Sequence, residues 1–159
     1  SKEEENSSSG VYINREGREE RTQLLEKVHV LEAALLYLLS RREYPSSRGF
    51  EELLPLFPEG FLRNLAVALL QEENTQALEA RWLEMGDTFP FQILEKGAAF
   101  CEQISEEDNA WEKVYAALVW HGEKKTYLGL KEKIARNEAT AEELQHFLEL
   151  GKRLKKGGR

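Results

Sequence analysis

Apolar side chains recur along this chain at helical spacing, and no segment shows the sustained two-residue alternation of a strand. Leu24, Val28, Leu31, Leu35 and Leu38 follow one another at steps of four and three, and Leu25, Leu36 and Leu39 widen the stripe. So broad a stripe predicts a central helix from about Glu19 to Glu43, ended by Pro45 and the pair Ser46-Ser47. A short helix is expected from Phe50 to Leu54, stopped by Pro55 and Pro58. The next, about Glu59 to Glu72, would bury Leu62, Leu65, Ala66, Leu69 and Leu70. Asn74 or Thr75 should cap a helix over roughly Gln76 to Met85, and Gly86 should end it. Another runs from about Phe89 to Gln103, with Pro90 tolerated in its first turn. Ser105 and Asp108 have the spacing of a capping box for the helix that follows. Residues 1–20, opening SKEEENSSSG, lack apolar periodicity and read as a linker.

The last third predicts a long helix from about Asn109 to Arg136, a tight turn, and a helix from about Ala141 to Lys156. Thr140 and Glu143 have the capping-box spacing at the start of the latter. On the long helix, Trp111, Val114, Tyr115 and Leu118 form one stripe. Trp120, Tyr127 and Ile134 form another, with Leu130 beside it. Leu118 and Tyr127 are nine residues apart, which at about 100° per residue puts them on opposite sides of the helix. The buried face should therefore change sides near Gly122, with the first half facing a bundle and the second half facing the last helix. That last helix carries Leu144, Phe147, Leu148 and Leu154 in one stripe, with Leu150 nearby. The expected fold is all-α: a compact helical bundle (20–121) after the linker (1–20), then a C-terminal helical hairpin with a basic tail (122–159), joined through the long helix. The hairpin is either packed fully on the bundle or offered to a partner.

Composition narrows the class. Charged residues make up 32% and hydrophobic residues 41% of 159 positions, which describes a soluble domain with a charge-rich surface. The longest apolar run, AALLYLLS, is too short to span a bilayer, and no signal peptide is visible. A lone Cys101 excludes an internal disulfide and fits a reducing, cytoplasmic setting. Ser1 in first position suggests a piece of a longer polypeptide. The net charge of −7 argues against duplex DNA as a partner for the whole surface. Lys152, Arg153, Lys155, Lys156 and Arg159 nevertheless leave residues 151–159 without an acid, a placement that suits a helix C-terminus.

The residues that carry chemistry do not converge. His29, His121 and His146 stand on separate helices, without the spacing of a zinc site. Cys101 lacks an adjacent base and reads as a small core residue. Glu51-Glu52 and Glu142-Glu143 read as solvated faces or helix N-terminal charges. There is no GxxxxGK[ST] and no GxGxxG. Trp82, Trp111 and Trp120 lie at core spacing rather than beside basic groups that would hold stacked bases. No catalytic residue, cofactor or metal is expected.

The segments VLEAALLYLLS (30–40) and LKEKIARNEATAEELQHFLELGKRLKK (130–156) resemble the C-terminal helicase-binding domain of bacterial DNA primase, the DnaG type. The similarity runs over about residues 20–156, is strongest over 128–156, and rests on pattern rather than on catalytic residues. It implies a non-catalytic domain that binds the N-terminal region of the hexameric replicative helicase and recruits primase to the fork for RNA primer synthesis. The parent polypeptide would be a DNA-directed RNA polymerase whose zinc-binding and polymerase domains lie upstream, and this chain contains neither. Single-stranded-DNA-binding protein joins the candidate partners. The helicase N-terminal domain has a similar fold and is a rival identification, against which the basic close LKKGGR argues. A nucleic-acid-binding helical adaptor using the basic end of the hairpin is a further alternative. On the primase reading the helicase meets the hairpin. Its candidate anchors are Tyr127, Leu130 and Ile134 on the long helix and Phe147, Leu148, Leu150 and Leu154 on the last. Leu148 and Leu150 are the expected outward pair. Lys152, Arg153, Lys155 and Lys156 would add rate and orientation.

Overall fold

A computed structural model describes residue 23, residues 25–45 and residues 49–157. The expected linker, 1–20, lies outside the described residues. The described residues form helices and no strands, so the fold is all-α. In order they are α1 (Val30–Ser40), α2 (Phe50–Leu53) with a 3-10 turn at Leu54–Leu56, α3 (Phe61–Gln71), α4 (Thr75–Glu84), α5 (Phe89–Glu102), α6 (Ala110–Ala135) and α7 (Ala141–Gly157). The chain divides into two compact units, Ser1–Val114 and Tyr115–Arg159. The first turn of α6 belongs to the first unit and the rest to the second.

Helix α1 is the axis of the first unit. Leu31, Ala33, Ala34, Leu35, Leu36, Leu38 and Leu39 are all buried, as its broad apolar stripe predicts. Helix α5 lies against it so closely that a Cβ on Gly97 would come within 2.5 Å of the Ala33 carbonyl carbon and 2.8 Å of the Ala34 nitrogen. Glycine is required there by lack of space. Phe57, Leu62, Leu65, Leu69, Leu78, Trp82, Phe89, Ile93, Trp111 and Val114 complete the core. Phe61 meets Phe89 at 4.7 Å, Trp82 and Phe91 form a T at 5.4 Å, and Trp111 meets Tyr44 at 5.6 Å between ring centres. Such pairs add to the area they bury.

Two sequence expectations are corrected at helix starts. The first helix does not run unbroken from Glu19. Residues 25–27 are helical, but the chain breaks at Val28 and His29 and α1 starts anew at Val30. His29 is the N-cap: its Nδ1 accepts from the Leu31 amide at 3.1 Å, and Glu32 accepts from the His29 amide at 3.3 Å. The Lys96 ammonium donates to two carbonyls at the break, Leu25 at 3.0 Å and Val28 at 2.7 Å. The second correction concerns α6. Ser105 Oγ accepts from Glu107 within the preceding loop, and Asn109 is the cap, its Oδ1 accepting from Glu112 at 3.1 Å. The α4 cap is Asn74, at 2.9 Å from the Gln76 amide.

Helix ends share one device. After α1, α4 and α6 the chain turns left-handed at Arg42 (φ 58°), Gly86 (φ 70°) and Asn137 (φ 58°). The next amide reaches back to an open carbonyl: Glu43 to Leu38, Asp87 to Trp82, Glu138 to Lys133. This is the Schellman arrangement. Gly86 adopts it freely and Asn137 readily. Arg42 does so against its steric preference, and its guanidinium then donates to the Leu69 carbonyl at 2.7 Å, in the last turn of α3. That turn, rather than Pro45, ends α1, at Ser40.

Candidate functional site

The second unit is a helical hairpin. Helix α6 runs through Gly122 without a break, and its shielded positions change sides as expected: Trp111, Val114 and Leu118 are buried on one face, and Leu130 on the other. Asn137 turns the chain, and α7 starts with the expected capping box. Thr140 Oγ1 accepts from the Glu143 amide at 3.1 Å, and Glu143 accepts from the Thr140 amide at 3.0 Å.

The two helices pair antiparallel, in a register fixed by three contacts. Tyr127 stacks on Phe147 with ring centres 4.5 Å apart and planes 13° from parallel. Lys133 meets Glu143 at 2.6 Å towards the turn, and Arg153 meets Glu123 at 2.7 Å towards the open end. Both ion pairs are partly exposed to solvent, which screens them, so they set register more than stability. Apolar burial supplies the rest: Leu130 is 8% exposed and Leu150 only 1%. The Lys133 hydrogen bond, then the Thr140 amide, hold the Glu143 carboxyl below the usual carboxylate range.

The expected site residues therefore separate. Tyr127, Leu130, Phe147 and Leu150 hold the hairpin together, and half-buried Ile134 and Leu154 lie at the same helical spacing. Leu148, at 56% exposure, faces outward. The expectation that Leu150 accompanies it is corrected. Two residues apart on a helix means about 200° of rotation, so one of the pair points in when the other points out. Lys152, Arg153, Lys155 and Lys156 are exposed, and Arg153 is engaged with Glu123.

Residues outside the expected set complete the outer face. Leu144 is 45% and Leu128 48% exposed. Leu144, Leu148, Gly151 and Lys155 recur at steps of four, three and four, which places them on one flank of α7. Gly151 and Lys155 also line a groove of about 270 Å³ whose α6 wall holds Trp120, Lys124, Tyr127 and Leu128. Gly151 leaves that groove open, since a Cβ there would lie 3.3 Å from Tyr127 Cε1. The Lys124 ammonium sits 4.8 Å from the centre of the Trp120 ring, a cation–π distance. Charge is segregated too. Residues 115–159 carry ten Lys and Arg against six Glu, a net +4, while the remainder carries twelve against 23, a net −11.

Comparison with protein-family models, curated proteins and solved structures finds no match to this chain.

The remaining chemistry is dispersed. Among the described residues no three His, Cys, Asp or Glu side chains come together as metal ligands, and no helix is long and apolar enough to cross a membrane. Cys101 is half-buried rather than a core residue. Burial first, and the Glu43 carboxylate second, push its thiol up, which lowers the thiolate fraction. Trp82 and Trp111 are buried, whereas Trp120 is half-buried and lines the hairpin groove.

Proposed function

We propose that this chain is the non-catalytic docking domain of a DNA primase, and that its hairpin binds the replicative helicase and brings primase to the fork. The primase assignment rests on the resemblance of residues 30–40 and 130–156. The observation that carries docking is the division of labour within the hairpin. Leu130, Leu150 and the Tyr127–Phe147 stack close the seam, yet Leu128, Leu144 and Leu148 stay exposed, Leu128 in the groove that Lys124 and Lys155 line. Apolar anchors left in water on a helix face are what groove-type helix recognition uses, and a few such anchors dominate a contact.

The test removes residues 128–159 and follows folding by circular dichroism and binding to the hexameric helicase. The first unit keeps its core, while binding falls at least tenfold, about 1.4 kcal/mol. A truncated chain that folds and binds the helicase at full strength refutes the proposal. The net +4 of the hairpin also favours a second reading, a nucleic-acid contact. A salt titration separates the two, because a phosphate-dominated contact weakens steeply with salt.

A further inference from the structure

We infer that the flank of the hairpin bearing Leu144 and Leu148 takes one kind of ligand: an acidic, leucine-bearing helix of a partner protein. The inference rests on the hairpin being the docking element and specifies the chemistry of what it binds.

Three features point to that occupant. The stripe from Leu144 to Lys155 covers twelve residues, about 16 Å or three helical turns from end to end, so its length suits a helix lying along it. Its apolar part is a ridge at four-residue spacing, the row that interdigitates with a second helix. Its polar part is cationic. Lys124 and Lys155 line the groove, and among the described residues neither meets a carboxylate. Leu128, on the α6 wall, offers a further apolar contact. A partner with leucines on one stripe and carboxylates beside them satisfies both parts together. A phosphate backbone would satisfy the lysines and leave the leucines in water. Cationic residues around an apolar centre also speed and orient the encounter with an acidic partner.

The probe is a labelled synthetic helical peptide with leucines at i, i+4 and i+7 and glutamates flanking them, titrated against the full chain by fluorescence anisotropy. A second peptide replaces each glutamate by glutamine. The chain variants are Leu144→Ser with Leu148→Ser, and Lys124→Glu with Lys155→Glu, each checked for unchanged helix content. The acidic peptide binds at least tenfold more tightly than its glutamine form, and either double variant loses at least tenfold. The inference is overturned if the two peptides bind equally, or if the leucine variant keeps full affinity. It is also overturned if a single-stranded oligonucleotide binds more tightly than the peptide and depends only on the lysines. Helicase binding is measured in parallel. A chain that binds the helicase but not the peptide overturns this inference alone. A chain that binds the peptide but not the helicase overturns the proposed function and leaves the groove's chemistry standing.

Discussion

Gly97→Ala sets two physical effects against each other at one atom. Gly97 is buried in the interior of α5, where alanine is favoured over glycine by about 1 kcal/mol from helix propensity alone. Propensity therefore predicts a more stable protein. The geometry predicts the opposite. The new methyl would stand 2.5 Å from the Ala33 carbonyl carbon and 2.8 Å from the Ala34 nitrogen. Both are backbone atoms of a helix whose other faces are packed, so no side chain can rotate aside. Reaching ordinary contact at 3.4 Å requires α5 and α1 to part by about an ångström. A gap of that size forfeits a quarter to a half of each dispersion well along the interface. Overpacking typically costs about 1–3 kcal/mol, and a backbone obstacle belongs at the top of that range or beyond. The net effect is a loss of about 2 kcal/mol or more, out of a total stability of about 5–15 kcal/mol for a domain. For a unit of this size that lowers the melting temperature by roughly 8–16 °C. Thermal unfolding followed by far-UV circular dichroism measures it. Gly122→Ala is the control: Gly122 is helical and exposed, and a Cβ there meets nothing within 4 Å, so propensity should act unopposed and stabilise. A Gly97→Ala protein that melts at or above the parent temperature refutes the reasoning.

Leu150→Ala should destabilise the hairpin by about 2–5 kcal/mol, as a fully buried leucine does. Leu148→Ala should change stability by under about 0.5 kcal/mol, and equal effects in urea unfolding would contradict their opposite orientations. Lowering the pH should weaken the start of α7 through Glu143. Its carboxyl is depressed in the folded state, so its contribution is fully present above the unfolded value near 4.5 and is lost as pH falls through the folded value. Protection of the Glu143 and Leu144 amides should therefore hold from neutral pH to about 5 and decline below it. Glu143→Gln should remove that pH dependence.

What the sequence discloses and what it hides follow from periodicity. The all-α fold, the hairpin, its capping box and the change of buried face within α6 were legible because apolar spacing and cap chemistry signal them directly. The break at Val28 and His29 was not. The steps of four and three continue through it from Leu24 to Leu38, and histidine is a less usual cap than serine or aspartate. Glu32, three residues on, was the available signal. At α6 two signatures competed. Ser105 with Asp108 and Asn109 with Glu112 have the same spacing, and only the latter pair is adjacent to the helix. Leu128 and Lys124 were overlooked for another reason. They stand outside the inner stripe of α6 and acquire meaning only when the rotation of α7 brings Gly151 and Lys155 beside them. Rotation about a helix axis is a tertiary quantity, set here by the Tyr127–Phe147 stack and the ion pairs at either end.

The hairpin's two leucine classes differ in what their loss would mean. Single exposed leucines are ordinary on protein surfaces, so exposure of Leu144 or Leu148 alone would carry no weight. Their register does. They share one flank with Gly151 and Lys155, and that flank opens into a groove with a lysine on each wall. The seam, by contrast, is closed by Leu130, Leu150 and the aromatic stack. On the docking proposal, a substitution in the seam should disturb binding by unfolding the element that presents the surface, so that helix content and affinity fall together. A substitution on the flank should leave the seam intact and lower affinity alone. A hairpin whose outer leucines served only folding could not separate the two quantities, because every effective substitution would move both.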